Sequence, residues 1–455
     1  MAFRFLHTAD LHLGRVFHEH PLLEDQAFML DQLADVLAGD SYRALVIAGD
    51  VYDRSIPSPG AVSLFGGFLG KLKARRPDLE VLILPGNHDS ASRLGFGKEL
   101  FAELGIHFVT EPEDACKPVI VRGNGADASC AFFLLPFLHP GSLACRDGSL
   151  TCRDGSLGRS EGGPPEESAG TGEGSGAGEG PGEAPEAGGF LRSQARLAEE
   201  AAARLEKARR EALENEAGHT VLAAHLFASG GAESDSERVF LGSAERVDAG
   251  LFAGFDYAAL GHLHRYQKAG GNCWYSGSPL AYSFDEAEKS EKCFLSVELG
   301  GGEPESGGPG GVTVTPVPVK PLRGLRRLRG NFSRFFSDAS DPALKEAEND
   351  YLEIILGDSS LVENPLPLLR RRFPWILSVK QEEALAFLRG NFPALPRAAE
   401  SEYGQERRGP AEDFEDFLAD IYGDPEGAGL EDLARENREK IELFRELLAE
   451  IEAAQ

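Results

Sequence analysis

The sequence predicts an α/β fold in which helices cover both faces of a layered sheet. Short apolar runs at 3–9, 44–49 and 80–85 alternate with segments 24–38 and 61–75, whose apolar residues recur every three or four positions. Such alternation is typical of strands and helices that follow one another in α/β chains. Each apolar run ends in a cluster of polar residues, which is where open α/β sheets place their functional sites.

Strand-like segments resume after residue 218 and continue into a second domain. Four of them lie at 219–224, 255–260, 272–276 and 293–299. Two further strand candidates, 351–356 and 374–379, precede a helix near 381–389 and predict a small α+β domain within residues 312–398. A chain of 455 residues is long enough for two or three domains, so we assign the largest one to residues 1–300.

Three segments are predicted to lie outside the folded core. Residues 141–189 are expected to be a disordered insertion, because 158–189 contains 12 glycines, seven glutamates and four prolines, and no apolar side chain larger than alanine. Such a segment cannot bury enough surface to offset its ordering entropy. Residues 190–216 lack Gly and Pro and predict a long exposed helix. The tail, 399–455, predicts two acidic amphipathic helices.

The net charge of −28 lies mostly at the periphery of the chain. The tail has 18 acidic and six basic residues, and residues 158–189 add a net charge of −6, which leaves −10 for the rest. Bulk electrostatics therefore argue against a protein that coats nucleic acid, although a local basic surface is allowed. Residues 312–337 contain six basic residues and no acidic one, a pattern typical of a phosphate-binding surface or of an ordinary solvated face.

The cysteines and the apolar runs predict a cytoplasmic protein without membrane attachment. No apolar run approaches the roughly 18–20 residues that span a bilayer, and the six cysteines form no CxxC pair, so reduced thiols are expected. The sequence contains no Walker-type G-x-x-x-x-G-K-[ST] loop, so any ATP hydrolysis would have to come from another chain.

Polar motifs that contain common metal ligands follow the apolar strands. They are Asp10-Leu11-His12, Gly49-Asp50-Val51-Tyr52-Asp53, Gly86-Asn87-His88-Asp89, His225 and Gly261-His262-Leu263-His264. In D-x-H and H-x-H, an extended backbone would place residues i and i+2 on one side, where both reach one centre. Carboxylate, amide and imidazole donors suit Mn²⁺, Fe or Zn²⁺. Seven candidate ligands are too many for one ion and predict two ions that share a carboxylate: Asp10, His12, Asp50, Asn87, His225, His262 and His264.

Each motif taken alone has an ordinary structural explanation. An Asp beside a surface His, a Gly-Asp turn and an Asn at a helix cap all occur in proteins that bind no metal. The order of the motifs decides between the two interpretations, because every one of them directly follows an apolar strand. We therefore predict a binuclear metal site.

The ordered set of motifs resembles the signature of the calcineurin-like metallophosphoesterases. The similarity is strongest over residues 1–138 and 219–299, and it includes the strings LHTADLHLG, AGDVYDRSIPSP, LPGNHDS, ALGHLHRYQ and YSGSPLAYSFDE. The resemblance implies a four-layer β-sandwich flanked by helices, followed by a small α+β capping domain at 312–398 and by C-terminal helices.

The same resemblance implies a role for each motif residue. The first metal would be bound by Asp10, His12, Asp50 and His264, and the second by Asp50, Asn87, His225 and His262. The ions would be two Mn²⁺, with Mg²⁺ or Zn²⁺ as substitutes. His88 would act on the scissile phosphate, and Asp53 would hold its imidazole in the useful tautomer. Ser278 would contact a substrate phosphate, although the residues alone equally allow an ordinary Ser-Pro turn.

Within that family the strings resemble the nuclease subunits of DNA-repair complexes. The likeness implies ATP-dependent exonuclease and endonuclease activity on DNA ends and hairpins, in repair, recombination and replication. Two nuclease chains would assemble with two SMC-like ATPase chains, onto which the tail at 399–455 would dock. Arg323, Arg326 and Arg327 would contact DNA.

Two alternative functions stay open on the sequence alone. One is a stand-alone phosphodiesterase or phosphatase that acts on small or protein substrates, and the other is a non-enzymatic scaffold of the same fold. The basic segment after residue 312 disfavours the first alternative, because a compact phosphatase needs no such module. The complete set of metal ligands disfavours the second.

Overall fold

The structure is a computed structural model of the 455-residue chain. It describes residues 2–39, 42–123, 129–139, 143–146, 149–152, 193–215, 217–231, 246–300, 311–337 and 341–381. The chain divides into two compact units, residues 1–384 and 385–455, and every described residue belongs to the first. The segment 158–189, the tail 399–455 and all but the first residue of the helix predicted near 381–389 lie outside the described residues.

The strands and helices lie close to the predicted segments. The strands are β1 (Phe3–Thr8), β2 (Val16–Phe17), β3 (His20–Pro21), β4 (Ala44–Ala48), β5 (Glu80–Leu84), β6 (Ile106–Phe108), β7 (Val119–Arg122), β8 (Ser129–Leu135), β9 (Leu143–Arg146), β10 (Ser149–Cys152), β11 (His219–His225), β12 (Tyr257–Gly261), β13 (Gln267–Gly270), β14 (Cys273–Tyr275), β15 (Cys293–Leu299), β16 (Val312–Pro318), β17 (Leu325–Gly330), β18 (Tyr351–Leu356) and β19 (Ile376–Lys380). The helices are α1 (Leu23–Gly39), α2 (Pro59–Arg75), α3 (Ala91–Leu94), α4 (Lys98–Ala102), α5 (Gln194–Glu214), α6 (Phe284–Lys289), α7 (Phe332–Ser337), α8 (Pro342–Glu346) and α9 (Pro365–Leu369), with 3₁₀ turns at Pro112–Cys116 and Ala249–Phe252. None of the helices among these described residues is long and apolar enough to cross a membrane.

The first sheet has six strands in the order β16-β15-β1-β4-β5-β6. Strands β1, β4, β5 and β6 are parallel, and β15 and β16 continue the sheet in antiparallel fashion. Every residue of Ala44–Ala48 is buried, as expected for a parallel strand that is covered on both faces. On one face Ile47 packs with Leu33 of α1 and Phe65 of α2 in a single apolar cluster.

The second sheet also has six strands, in the order β13-β14-β12-β11-β8-β7. Its central strands β8, β11, β12 and β14 are parallel, and the two edge strands are antiparallel. Helix α5 covers the outer face. The sequence predicts this helix as exposed, but Leu197, Ala201 and Leu205 on one of its faces are buried against the sheet. That expectation was therefore wrong for one side of the helix.

The two sheets pack face to face around an aromatic core. Phe5 of β1 contacts Phe132 of β8 and Tyr257 of β12 edge to face, with ring centroids 5.3 and 5.6 Å apart. Helices, sheet, sheet and helix therefore form four layers, and the predicted fold class is confirmed. Such packing brings the carboxyl ends of the parallel strands of both sheets to the same region of the molecule.

A third, three-stranded parallel sheet, in the order β17-β18-β19, forms the small α+β domain. Its core contains Leu352 and Ile354 of β18, with Phe335, Leu344 and Phe373 from the surrounding helices and loops. Strand β16 pairs with β15 along its whole length and belongs to the first sheet. The boundary that the sequence placed at 312 therefore lies after Pro318.

The start of the insertion contains regular structure. Leu143–Arg146 and Ser149–Cys152 pair as an antiparallel hairpin, inside the segment 141–189 that the sequence predicts to be disordered. The two Cys-Arg-Asp-Gly-Ser-Leu repeats of this region each supply part of the hairpin. The disorder prediction is thus wrong for these residues.

Candidate metal centre

Polar side chains from both sheets meet beyond the carboxyl ends of the central strands. The seven candidate ligands are Asp10 and His12 after β1, Asp50 after β4, Asn87 after β5, His225 at the end of β11, and His262 and His264 after β12. Parallel strands of the two sheets end here, so residues more than 250 positions apart come together, as predicted. His12 and His264, for example, are 252 positions apart and in direct contact.

The first cluster consists of Asp10, His12 and His264, whose donor atoms all lie within 4.8 Å of one another. Nε2 of His12 lies 3.1 Å from Nε2 of His264. His264 donates its Nδ1–H to the carboxylate of Glu286 over 3.1 Å, so its Nε2 carries a lone pair. That lone pair is directed at the His12 ring, in an arrangement that a cation would stabilise.

The second cluster consists of Asn87, His225 and His262. Oδ1 of Asn87 lies 2.9 Å from Nε2 of His225 and 3.1 Å from Nδ1 of His262. His225 donates its Nδ1–H to the carbonyl of Ala48 over 3.0 Å, which fixes the ring tautomer and leaves a lone pair on Nε2. Two acceptors, an amide oxygen and an imidazole nitrogen, therefore face each other, and a bound cation would relieve their repulsion.

Asp50 lies between the two clusters. Its Oδ2 is 3.7 Å from Nε2 of His12 and 3.6 Å from Nε2 of His225, so it approaches one imidazole of each cluster. Its Oδ1 accepts the backbone N–H of His88 over 2.9 Å. The donor set of carboxylates, an amide oxygen and imidazoles fits divalent ions such as Mn²⁺ or Zn²⁺, and the geometry fits a carboxylate shared by two of them.

Burial favours the neutral form of the His12, His225 and His262 imidazoles, which is the form that binds metal ions. It lowers the pKa of His12 well below the ordinary value and the pKa of His262 to about 3. Burial alone would raise the pKa of Asp50, but the polar surroundings at His225 and His88, including the hydrogen bond from the backbone N–H of His88, outweigh burial and hold that pKa below its ordinary value. The centre therefore offers lone pairs of neutral rings beside an ionised carboxylate.

The backbone at the centre adopts conformations that non-glycine residues rarely occupy. Asp10, His12, Asp50 and His262 have φ angles of 53°, 43°, 49° and 110°. The sequence predicts that an extended backbone brings Asp10 and His12 together, but left-handed turns do so instead. Strained residues of this kind persist where the surrounding structure holds them and cluster at functional sites.

His88 lies at the mouth of the centre. With Asn87, Arg15 and Arg54 it lines an open cavity of about 600 Å³. Its ring packs edge to face on His12, with centroids 4.9 Å apart, and His12, Asp50 and His88 also form a group with donor atoms within 4.8 Å. The geometry thus allows His88 to meet either a substrate from the cavity or an ion.

Asp53 holds the His88 ring, but through its main chain. His88 donates its Nδ1–H to the carbonyl oxygen of Asp53 over 2.9 Å. The carboxylate of Asp53 pairs with Arg15 at 2.9 Å and lies 3.6 Å from Nδ1 of His12. The structure thus brings Asp53 and His88 together as predicted, with the Asp53 carbonyl at His88 and its carboxylate near His12.

Ser278 is buried and does not face the cavity. Its hydroxyl donates to the carbonyl of Leu280 over 2.8 Å and accepts from Nζ of Lys292 over 2.9 Å. The predicted contact with a substrate phosphate therefore has no geometric support. Lys292 also contacts Glu286, the partner of His264, at 2.7 Å. The Ser278 turn thus supports His264, one of the candidate ligands, through Lys292 and Glu286.

Sequence reasoning missed two acidic residues that organise the centre. Glu286 contacts His264, and Asp89 accepts the backbone N–H groups of Val51, Tyr52 and Gly86 over 2.9–3.0 Å. Burial, with the nearby Asp50, raises the pKa of Asp89 to about 7 even though these amides oppose the shift. The motifs GNHD and SFDE contain both residues, but nothing in the sequence states that they reach neighbouring loops.

The arginines predicted to contact DNA pair with acidic residues of the chain itself: Arg323 with Glu24 (2.7 Å) and Asp25 (3.3 Å), Arg326 with Asp350 (2.5 Å), and Arg327 with Glu353 (2.6 Å) and Glu288 (3.0 Å). Arg323 also lies 4.0 Å above the ring of Trp375. Arg323 and Arg327 therefore join the small domain to α1 and α6. Arg326 is the most exposed of the three, at 46% of its side chain.

Comparison with known proteins agrees with the resemblance that the motifs predict. Residues 3–148 match the family model of the calcineurin-like phosphoesterases. Over 381 residues the chain is 29% identical to the D-subunit of the nuclease SbcCD from Staphylococcus saprophyticus subsp. saprophyticus, in an alignment that covers 83% of this chain and 85% of that protein. The crystal structure of TT1561 of Thermus thermophilus aligns with 66% of this chain and 94% of its own, at 12% identity and a TM-score of 0.31, a likeness too weak to support any conclusion. The predicted resemblance is confirmed: residues 3–148 are similar to the calcineurin-like phosphoesterases, and most of the chain is similar to the D-subunit of a nuclease.

Proposed function

We propose that this chain, with its calcineurin-like phosphoesterase domain, is the metal-dependent nuclease subunit of an SbcCD-type complex. It would hydrolyse DNA phosphodiesters at double-strand ends and hairpins during repair, recombination and replication in the cytoplasm. The observation that carries the proposal is Asp50, placed 3.7 and 3.6 Å from the imidazoles of two separate ligand clusters. The similarity to the D-subunit of the nuclease SbcCD supports DNA as the substrate.

Two Mn²⁺ ions are the proposed cofactors, with Mg²⁺ or Zn²⁺ as substitutes. Asp10, His12, Asp50 and His264 would bind one ion, and Asp50, Asn87, His225 and His262 the other. When bound, such a pair lowers the pKa of water and neutralises charge on a phosphate. The protein contributes preorganised ligands: Ala48 and Glu286 fix the His225 and His264 tautomers, so each ring presents a lone pair without rearrangement.

His88 is the proposed catalytic residue on the phosphate. Its Nδ1–H is held by the Asp53 carbonyl, and the residue lines the cavity that a substrate would enter. In its protonated form a histidine so held also carries an Nε2–H, which can stabilise the developing charge or pass its proton to the leaving oxygen. Fixing the ring in advance avoids a reorientation cost during the reaction.

Arg15 and Arg54 at the rim of the cavity are proposed to orient the DNA backbone. Arg15 is held by Asp53 at 2.9 Å and lies 5.0 Å from the ring of Tyr282, so it offers a fixed positive charge. Arg54 is 77% exposed and lies 3.8 Å from Asp53. Phosphate contacts fix the register of a nucleic acid without reading its sequence. Of the three arginines predicted to contact DNA, Arg326 is the most exposed, although it pairs with Asp350.

We propose that two such chains assemble with two SMC-like ATPase chains of the SbcC type. An apolar stripe supports self-association: Phe96 is 84% exposed, and Leu100 and Leu104 follow it at four-residue steps, also exposed. Ile56 and Val62 are exposed on a nearby segment, to which Arg93 donates a hydrogen bond at the Ser55 carbonyl. Exposed patches of this kind mark association surfaces. The tail at 399–455, outside the described residues, is proposed to dock on the ATPase.

The test is hydrolysis by the purified chain in Mn²⁺, with and without the ATPase. Linear duplex DNA, a DNA hairpin and bis-p-nitrophenyl phosphate are compared. We expect the small diester to be cleaved by the chain alone, and DNA ends and hairpins to be cleaved in an ATP-dependent manner by the complex. Cleavage of the small diester with no DNA cleavage in any combination would instead support a stand-alone phosphodiesterase.

A further inference from the structure

A buried ion pair lies directly behind the first ligand cluster. Glu286 is only 2% exposed, and its Oε1 accepts the Nδ1–H of His264 over 3.1 Å. Its Oε2 lies 2.7 Å from Nζ of Lys292, whose side chain is 10% exposed. A carboxylate and an ammonium that are buried this deeply cost several kcal/mol of desolvation each unless they are well paired. The Glu286–Lys292 pair is thus energetically costly to bury, and neither residue belongs to the proposed ligand set.

We propose that Glu286, held by Lys292, is a positioning residue that orients His264 towards the first metal ion. The inference rests on the proposed two-metal function. A metal-binding histidine commonly donates its second ring N–H to a carboxylate, which fixes the tautomer and raises the basicity of the ligand nitrogen. Glu286 is buried and does not line the cavity at His88, so it acts through the histidine.

Lys292 fixes both the ring and the main chain of His264. Its ammonium donates to Glu286, to the backbone carbonyl of His264 over 2.9 Å, and to the hydroxyl of Ser278 over 2.9 Å. The backbone N–H of Tyr282 adds a further contact to Oε2 of Glu286 at 3.2 Å. The Glu286 carboxylate therefore has little freedom to move, and it holds the His264 imidazole in a fixed orientation. This use also explains the SGSPLAYSFDE segment, which the proposed catalytic steps leave unassigned.

The helix that carries Glu286 is held from its other side by the small domain. Glu288 of α6 pairs with Arg327 of β17 through both carboxylate oxygens at 3.0 Å. Phe284, at the start of the same helix, lies 5.8 Å below that guanidinium. The position of α6, and with it of Glu286, is therefore fixed by contacts on both faces.

The experiment measures Mn²⁺ binding to metal-free protein by the paramagnetic resonance signal of free Mn²⁺. Glu286→Ala should weaken the binding of one of the two ions by about 10- to 100-fold, the usual effect of losing such an outer partner, and the other ion by less. Glu286→Gln, which keeps an oxygen for the His264 N–H but loses the charge, should give a smaller loss of the same kind. Glu291→Gln changes an exposed carboxylate five positions away and should bind both ions as the wild type does.

Thermal melting of the metal-free proteins separates positioning from a purely structural role. A structural role would lower the melting temperature and leave the Mn²⁺ affinity of the folded protein unchanged, which would overturn the inference. If neither variant folds, the ¹⁵N shifts of the wild-type histidines decide, because the inference requires His264 to be protonated at Nδ1. A wild-type chain that binds no Mn²⁺ would contradict the proposed function itself, whereas normal binding by folded Glu286 variants contradicts only this inference.

Discussion

Polar and charged groups are arranged in opposite ways in the metal centre and in the arginine-rich strand β17. In the centre, acceptors face acceptors: Nε2 of His225 lies 2.9 Å from Oδ1 of Asn87. In β17, cations face anions, as where Arg327 meets Glu353 at 2.6 Å. Acceptors that face each other repel, so a bound cation is needed to stabilise them. Cations that already face anions instead hold two parts of the protein together. Chemical function is therefore expected in the first region and domain packing in the second.

The largest effect should come from the residue that the two ligand clusters share. Asp50→Asn should abolish binding of both ions and lower kcat/KM for bis-p-nitrophenyl phosphate by roughly a thousandfold or more, because several kcal/mol of transition-state stabilisation are lost. Metal content and hydrolysis rates check this expectation. Asp35→Asn, at an exposed carboxylate paired with Arg75, is the matched control and should change neither. Retention of both ions by Asp50→Asn would remove the basis for a shared carboxylate.

His88→Ala should separate catalysis from metal binding. We expect both ions to stay bound while hydrolysis falls by about 100-fold or more, as is typical when a general acid is lost. Metal analysis and kcat measured on the same preparation check the two halves of the expectation. Loss of an ion would place His88 among the ligands, in the group that it forms with His12 and Asp50.

The sequence allowed prediction of where the candidate ligands lie, because each is at or just beyond the end of a strand. In a parallel sheet the end of a strand is a fixed place, so residues directly after β1, β4, β5, β11 and β12 had to converge. How they converge could not be predicted. The left-handed backbone at Asp10 and His12 depends on contacts such as the bond from Asp10 N–H to the Gly49 carbonyl. These contacts form only after the strands are in place.

The roles of Asp53 and of the arginines could not be predicted from the sequence, for a related reason. Whether a residue acts through its carboxylate or its carbonyl depends on loop geometry, and at Asp53 the carbonyl reaches His88. Arg323 pairs with Asp25, which is 298 positions away in the sequence. The local run of basic residues therefore gives no sign that the charge of Arg323 is neutralised. The position of a motif residue at the end of its strand can therefore be predicted from the sequence. The pairing of a charged residue with a distant residue cannot.

Arg323→Ala should destabilise the protein without affecting the chemical step. The substitution leaves the buried Asp25 with the hydroxyl of Tyr351 at 2.8 Å and removes the cation above Trp375. We expect a loss of about 2 kcal/mol in the free energy of unfolding, below the usual cost of breaking a fully buried pair, and no change in Mn²⁺-dependent hydrolysis of the small diester. Urea unfolding and steady-state rates check both points.

Arg326→Ala is the control for that measurement. Its partner Asp350 also accepts the backbone N–H of Gly324 over 2.7 Å, so the carboxylate keeps a donor when the arginine is removed. Because the arginine end of the pair is 46% exposed, the loss should stay under about 1 kcal/mol. Equal destabilisation by the two substitutions would show that the arginines in and just before β17 act through their charge in general and not through a particular partner.

The smallest effect should be on DNA affinity, and it tests where the basic surface lies. Arg54 is largely exposed and only 3.8 Å from a carboxylate that already pairs with Arg15, so its charge is available to a phosphate. Arg54→Ala should weaken duplex binding about two- to fivefold and reduce the slope of log Kd against log salt by about 1, with unfolding free energy unchanged. Arg326→Ala should change binding less, because Asp350 already neutralises that charge. A larger effect at Arg326 than at Arg54 would mean that DNA displaces the internal ion pairs of β17. The contrast between the metal centre, where acceptors face each other, and β17, where charges are paired, would then hold only in the absence of DNA.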